Sequence, residues 1–307
     1  MRKGNVLSSA ANAMNVISKP TDEIYCLVAP NPSPMTFTGT NTYIIDNGEL
    51  AIIDPGPNNE RHRKNILEFV ADRPVKYIFL THSHIDHSPL AKTLSQELCT
   101  PTYAYGASDA GLSRTMQNLV ASGYDSGSEG IDYEFSPDHS ITVNSKFELN
   151  GKSITAIHTP GHMGNHVCFQ YDDILFSGDH IMEWATSMVS PPYGDLTHFM
   201  ESCRLLQKKD FKMFLPGHGG AVNEPKSRLN YLINHRLERE AQIRTTIKTA
   251  PLSAIEITPL IYTDVDKSLI PVATRNVFAH LIDLNERGIV EFEGSISEYS
   301  KVVVLKD

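Results

Sequence analysis

The six residues from His82 to His87 read His-Ser-His-Ile-Asp-His, three imidazoles and a carboxylate, and they follow directly on an apolar run, Val75 to Leu80, that reads as a buried strand. Behind them Ser88 has the chemistry of a helix N-cap and Pro89 that of a first helical residue, in a helix running to about Leu98. The cluster is therefore expected on a loop at the carboxyl end of a strand, where the backbone can turn enough to aim its side chains at two nearby points. Imidazole with carboxylate is a donor set suited to zinc, iron or manganese. A lone histidine in a loop is usually a surface residue, but four such groups at this spacing predict a metal site.

Three later segments place further donors just after predicted strands: Thr159-Pro160-Gly161-His162, Ser177-Gly178-Asp179 and Pro216-Gly217-His218-Gly219. The strands are Ile154 to Ile157, Ile174 to Phe176 and Met213 to Leu215. Small residues beside each donor permit the tight turns of a crowded centre. Side chains at several strand ends converging on one point is how open sheets build sites.

The remaining text alternates sheet and helix. Ile24 to Pro57 reads as antiparallel sheet, with Asn47-Gly48 a hairpin signal. Asn59 to Asp72 has helical spacing and is ended by Pro74. Residues 103 to 130 read as a helix and a Gly/Ser/Asp loop. A long helix is predicted from Lys226 to Thr249, with Leu229, Leu232, Ile233, Leu237 and Ile243 on one stripe. Helices over Ser253 to Tyr262 and Val272 to Arg287, then a hairpin of Ile289 to Phe292 and Lys301 to Leu305, outline a winged helix. The expected organisation is an N-terminal arm (1–20), a catalytic domain (21–249) and a winged-helix-like domain (250–307).

Charge and cysteines narrow the function. A net charge of −9, from 27 basic and 36 acidic side chains, repels polyanions at long range, so nucleic acid is not an expected partner. From Pro251 onward five basic side chains face nine acidic ones, a poor phosphate grip for a winged helix, which reads instead as a packing or dimerisation module or a lid. Cys26, Cys99, Cys168 and Cys203 lack CxxC spacing and are expected to be reduced and buried. Polar residues interrupt Gly4 to Lys19, so no signal peptide is read there, and no segment has the ~20 apolar residues of a membrane span. The expected address is the cytoplasm and the expected partner a small-molecule substrate, with a homodimer as a further expectation.

The ordered pattern HxHxDH, TPGH, GD and PGHG resembles the metallo-β-lactamase-fold hydrolases. The resemblance implies an α/β (α+β) fold, a four-layer αββα sandwich, and two divalent metal ions, zinc before iron or manganese. It implies His82, His84 and His162 as ligands of one ion, Asp86, His87 and His218 of the other, and Asp179 bridging. Gly39-Thr40-Asn41-Thr42-Tyr43, Ile52-Ile53-Asp54-Pro55-Gly56, Ser190-Pro191-Pro192-Tyr193-Gly194-Asp195, and His235-Arg236 with Arg239 to Ile243 are similar to the beta-lactamase-like protein 2 branch, which carries a C-terminal winged helix. Many relatives have glycines where this chain has Ser88-Pro89-Leu90-Ala91, which changes the pocket floor.

The implied chemistry is hydrolysis by a metal-bridging hydroxide, with Asp86 accepting the proton of the attacking water, on an ester, thioester or lactone-type substrate. Asp179 where the commonest zinc β-lactamases have cysteine lowers the β-lactam reading. A single-strand-specific endoribonuclease or phosphodiesterase is the alternative, with iron-dependent oxygen chemistry on a thiol or persulfide a further one. His158 and His166 are expected to support the site, and Asp54 to sit beneath it. His180 is a candidate extra donor, and Trp184 a wall of the pocket or core.

Overall fold

The computed structural model describes residues 17–128 and 130–305. It begins with an antiparallel meander, β1 (Ile17–Thr21), β2 (Ile24–Val28), β3 (Asn41–Asp46) and β4 (Leu50–Ile53). Gly48 takes the β3–β4 turn at φ 102°, a region open to glycine and strained for other residues. Parallel strands β5 (Val75–Phe79), β6 (Thr102–Ala104) and β7 (His139–Ser140) extend this to a seven-stranded sheet ordered β1 to β7. The second sheet holds β8 (Lys146–Leu149), β9 (Lys152–His158), β10 (Val167–Tyr171), β11 (Ile174–Gly178) and β12 (Met213–Pro216), ordered β12-β11-β10-β9-β8.

Side-chain alternation sorts the layers. Along β3, Tyr43 and Ile45 enter the core between the sheets, where Phe79, Phe169 and Phe176 meet them. Ile44 points the other way, with Ile52 and Ile78, under helices α1 (Glu60–Val70) and α2 (Leu90–Leu98). Across the second sheet, Leu175 and Phe214 pack beneath α4 (Leu196–Gln207) and α5 (Pro225–Ile247) through Phe199, Leu229 and Leu232. The result is the expected αββα sandwich. Each fully buried ring contributes roughly 1.5–3 kcal/mol of transfer free energy, which anchors the strands whose ends carry the polar loops.

The C-terminal segment forms α6 (Ala254–Ile261), α7 (Ile270–Glu286) and an antiparallel hairpin, β13 (Val290–Phe292) and β14 (Val302–Val304). Ser253 caps α6 in a reciprocal capping box with Glu256. Val277, Phe278 and Leu281 of α7 share one apolar cluster with Met116 and Leu119 of α3 (Arg114–Ala121) and Ile243 and Ile247 of α5. The segment packs on the sandwich through a common core.

Four expectations change. Ser88 does not cap α2: the cap position is Pro89 with no side-chain hydrogen bond, because the Ser88 hydroxyl is drawn to the His84 carbonyl (3.0 Å) and the Asp132 carboxylate (2.6 Å). Of the expected arm, residues 1–16 lie outside the described residues, and residues 17–20 belong to β1. Leu237 is 45% exposed, and the residue buried at that level of α5 is Arg236. Cys26, Cys168 and Cys203 are buried and free, but Cys99 is exposed where α2 ends.

Candidate metal centre

Each donor leaves the end of a strand: His82 to His87 after β5, His162 after β9, Asp179 after β11 and His218 after β12. Loops beneath hold the first run in place. The Ile85 amide donates to the Gly130 carbonyl (2.9 Å) and the Asp132 amide to the Ser83 carbonyl (2.8 Å). Asn165 Nδ2 donates to Ser83 Oγ at 2.9 Å. Gly217 is required by space, since a Cβ there would lie 2.4 Å from Asp179 Oδ1 and 2.6 Å from His87 Cε1.

The donors gather into two adjoining groups, His82 with His84, His162 and Asp179, and Asp86 with His87 and His218. In the first, His84 Nδ1 lies 3.0 Å from His82 Nε2 and 3.1 Å from His162 Nε2. In the second, Asp86 Oδ2 is 3.5 Å from His87 Nε2 and 3.2 Å from His218 Nε2, and the two imidazole nitrogens are 3.4 Å apart. Asp179 touches both groups. Its Oδ2 is 3.7 Å from His162 Nε2 and 3.3 Å from His218 Nε2, while its Oδ1 is 3.5 Å from His87 Nε2.

The outer edges of the rings decide what the inner edges offer. The Thr81 hydroxyl donates to Asp54 Oδ2 (2.7 Å), so its oxygen accepts from His82 Nδ1 at 2.9 Å. Asp54 Oδ2 also accepts from His87 Nδ1 at 3.0 Å. His162 Nδ1 donates to the Met188 carbonyl (2.8 Å) and His218 Nδ1 to the Gly39 carbonyl (3.2 Å). With their outer nitrogens carrying the hydrogen, all four rings in their neutral form turn an Nε2 lone pair inward. Lone pairs and carboxylates packed this closely need a cation among them, and the donor set fits a divalent metal.

Electrostatics separate the halves. Burial, then neighbouring imidazoles, holds His82 well below the usual histidine range, and burial with His162 beside it brings His84 to about 3. Burial likewise lowers His162. In the other half burial opposes the charged forms but is outweighed. Asp86, Asp179 and Asp54 raise His87 well above its usual value, and Asp179 brings His218 to about 9. His218 and His87 in turn hold Asp179 well below the carboxylate range.

All seven predicted ligands thus converge, and Asp54 sits beneath them as expected. His158 stacks on Tyr105 (3.8 Å between centroids, 4° between planes) and bonds the Gly164 carbonyl. His166 is buried behind His82 with Nδ1 on Thr159 Oγ1. His180 is not an extra donor, because its Nε2 faces Cys203 Sγ (3.6 Å) in the core. Trp184 stacks on Phe37 and walls a cavity beside the centre. Sequence reasoning overlooked the Thr81 relay, whose one signal is a hydroxyl residue between strand and first histidine. It also overlooked the Met188 and Gly39 carbonyls, which no residue identity announces.

The comparisons agree with this geometry. The model of the metallo-beta-lactamase superfamily matches residues 35–218, and that of the beta-lactamase associated winged helix domain matches residues 253–299. A beta-lactamase-like protein 2 homolog from Drosophila melanogaster is 30% identical, covering 92% of this chain and 94% of that protein. Its Caenorhabditis elegans counterpart is 27% identical over 90% of this chain and 88% of its own length. An atrochrysone carboxyl ACP thioesterase from Aspergillus fumigatus is 28% identical over 69% of this chain and 61% of its own. Among solved structures, a beta-lactamase domain protein from Burkholderia ambifaria has TM-score 0.75 at 18% identity, covering 96% of each chain. A metallo-beta-lactamase family protein from Thermus thermophilus has TM-score 0.72 at 21% identity, covering 92% of this chain and 99% of its own. With its His/Asp centre and its appended helices and wing, the chain belongs to the metallo-beta-lactamase superfamily of hydrolases, in the branch of the beta-lactamase-like protein 2 homologs.

Proposed function

We propose that the chain is a dinuclear-metal hydrolase of an ester, thioester or lactone-type acyl substrate. His82, His84 and His162 hold one divalent ion, Asp86, His87 and His218 the other, and Asp179 serves both. The observation that carries this reading is the reach of one carboxylate, Asp179, to nitrogens of both groups. Zinc suits the imidazole-carboxylate set best, and iron and manganese suit it too. Bound there, such ions supply Lewis acidity and a water acidic enough to lose its proton near neutral pH.

The chain's own groups do the remaining work. The Thr40 hydroxyl, 3.2 Å from Asp86 Oδ2, orients the carboxylate that takes the proton of the attacking water. Asp54, Met188 and Gly39 fix the imidazoles in the tautomers that point lone pairs inward. A thiol nucleophile is disfavoured at the buried cysteines, because burial pushes Cys26, Cys168 and Cys203 up to about 12. The thioesterase name of the Aspergillus relative supports an acyl substrate, and the acid excess after Pro251 counts against a polyanion. No helix among the described residues is long and apolar enough to cross a membrane. We take 21–249 as the catalytic domain, 250–307 as the winged-helix-like domain, and the cytoplasm as the address.

The test pairs elemental analysis of the purified protein with turnover of aryl esters, thioesters, lactones, bis-nitrophenyl phosphate and short single-stranded RNA, before and after chelation. Two zinc ions with chelator-sensitive acyl cleavage is the expected result. Iron with oxygen uptake, or RNA cleavage without acyl turnover, overturns it.

A further inference from the structure

Beside the metal centre lies a cavity of about 310 Å³ that His162 and Asp179 share as wall residues. Its sides are mainly apolar, with Met182, Met188 and Trp184 from the sandwich and Leu269 and Val272 from the C-terminal segment, and Thr186, His235 and Asn276 set among them. One wall residue does not belong in such surroundings. Arg236 of α5 is only 4% exposed, and among the described residues no carboxylate pairs with it. Its terminal nitrogens donate to Asn276 Oδ1 and to the Ser187 carbonyl, and its face covers the Phe199 ring. Its Nε–H has no acceptor. A buried guanidinium with neutral partners, using two of its five N–H donors and lining a cavity, is an arrangement that an anionic oxygen completes.

We propose that this cavity binds the acyl half of the substrate and that Arg236 receives a carboxylate at its far end. The substrate class is then a half-ester or half-thioester of a short dicarboxylic acid, an inference that rests on the acyl-hydrolase reading of the adjoining centre. Size agrees with a small acyl group: about 310 Å³ lies at the low end of the ~300–1,000 Å³ of small-molecule pockets. A carrier or other bulky leaving group exceeds that and stays outside. A guanidinium edge matches the two oxygens of a carboxylate in a fork. In the reaction the acyl C–O or C–S bond breaks, water adds its hydroxyl to the acyl carbon, and its proton ends on the departing oxygen or sulfur. The product is the free dicarboxylic acid.

The experiment compares metal-loaded wild type and R236Q on adipyl and hexanoyl thioesters of one thiol. In parallel, Trp184, the single tryptophan, reports binding of monomethyl adipate and methyl hexanoate by fluorescence. Wild type is expected to favour the adipyl ester by about tenfold or more in kcat/KM, the worth of a hydrogen bond to a charged group. That ratio falls toward one in R236Q, and monomethyl adipate binding weakens in the same proportion. Equal turnover of the two thioesters by wild type overturns the proposal and leaves the hydrolase reading standing. Adipate binding that survives R236Q and disappears on chelation puts the carboxylate on the metals and also overturns it. If no acyl substrate is cleaved the hydrolase reading fails, and the fluorescence titration still decides whether Arg236 holds an anion.

Discussion

Replacing Asp54 by asparagine tests whether the imidazole tautomers are set from below. Asp54 is 2% exposed and has φ 52°, a left-handed conformation that asparagine tolerates better than most residues, so the backbone has no reason to move. Its Oδ1 accepts from the Thr81 amide (2.7 Å), and its Oδ2 accepts from the Thr81 hydroxyl (2.7 Å) and His87 Nδ1 (3.0 Å). Asparagine puts an NH2 in one of those places. On the Oδ1 side it faces the Thr81 amide and leaves a buried donor without an acceptor, a cost of about 1–3 kcal/mol. On the Oδ2 side it faces the His87 Nδ1 hydrogen and drives that proton to Nε2, removing a lone pair from the Asp86, His87 and His218 group. Loss of such a supporting contact typically weakens metal binding 10- to 100-fold, roughly 1.4–2.8 kcal/mol. Competition with a chromophoric chelator should show one of two binding steps weakened by that factor, with far-UV circular dichroism unchanged. Two steps at wild-type affinity in D54N, with unfolding stability also unchanged, would refute the tautomer argument.

Other outcomes are expected from the same geometry. Asp179→Ala should lose metal content together with turnover, because both groups share that carboxylate; elemental analysis finding two full equivalents removes its bridging role. Gly217→Ala sets a methyl 2.4 Å from Asp179 Oδ1, and a displacement approaching 1 Å should cost on the order of 100-fold in kcat/KM with the fold retained, so near-normal kinetics contradict the packing reading. Burial, opposed by a hydrogen bond to the Pro55 backbone, lowers His62 from 6.5 to about 4, so between those values the unfolded chain binds the extra proton. Stability from this residue is complete above pH 6.5 and is lost as pH falls toward 4, on the order of 3 kcal/mol. Urea unfolding of wild type and His62→Gln should therefore converge in acid, and parallel curves from pH 7 to 4.5 would exclude the effect.

The seven candidate donors were legible because ligation demands particular residue types, and the strands near them were legible from apolar runs, of which β4, buried on both faces, is apolar throughout. What stayed hidden was carried by backbone or by three-dimensional neighbours. Ser88 has the identity of an N-cap, yet its hydroxyl is claimed by Asp132, 44 residues away, and no local rule weighs that competition. Arg236 and Leu237 show the same limit on one helix. Hydrophobic periodicity assigns the leucine to the core, but the packed C-terminal segment buries the neighbouring position, and the guanidinium finds Asn276 of α7 and the Ser187 carbonyl there. That segment offered only helix spacing, a wing and an acid excess in the sequence. In the fold its Leu269 and Val272 close the cavity beside His162 and Asp179, so the C-terminal helices do two things at once. They complete the apolar cluster of α3 and α5, and they bound the space in which a substrate would lie. Stability and selectivity are then coupled through α7: a substitution that loosens its packing against Ile243 and Ile247 should also reshape the cavity, even though the seven metal-facing side chains all lie on the sandwich.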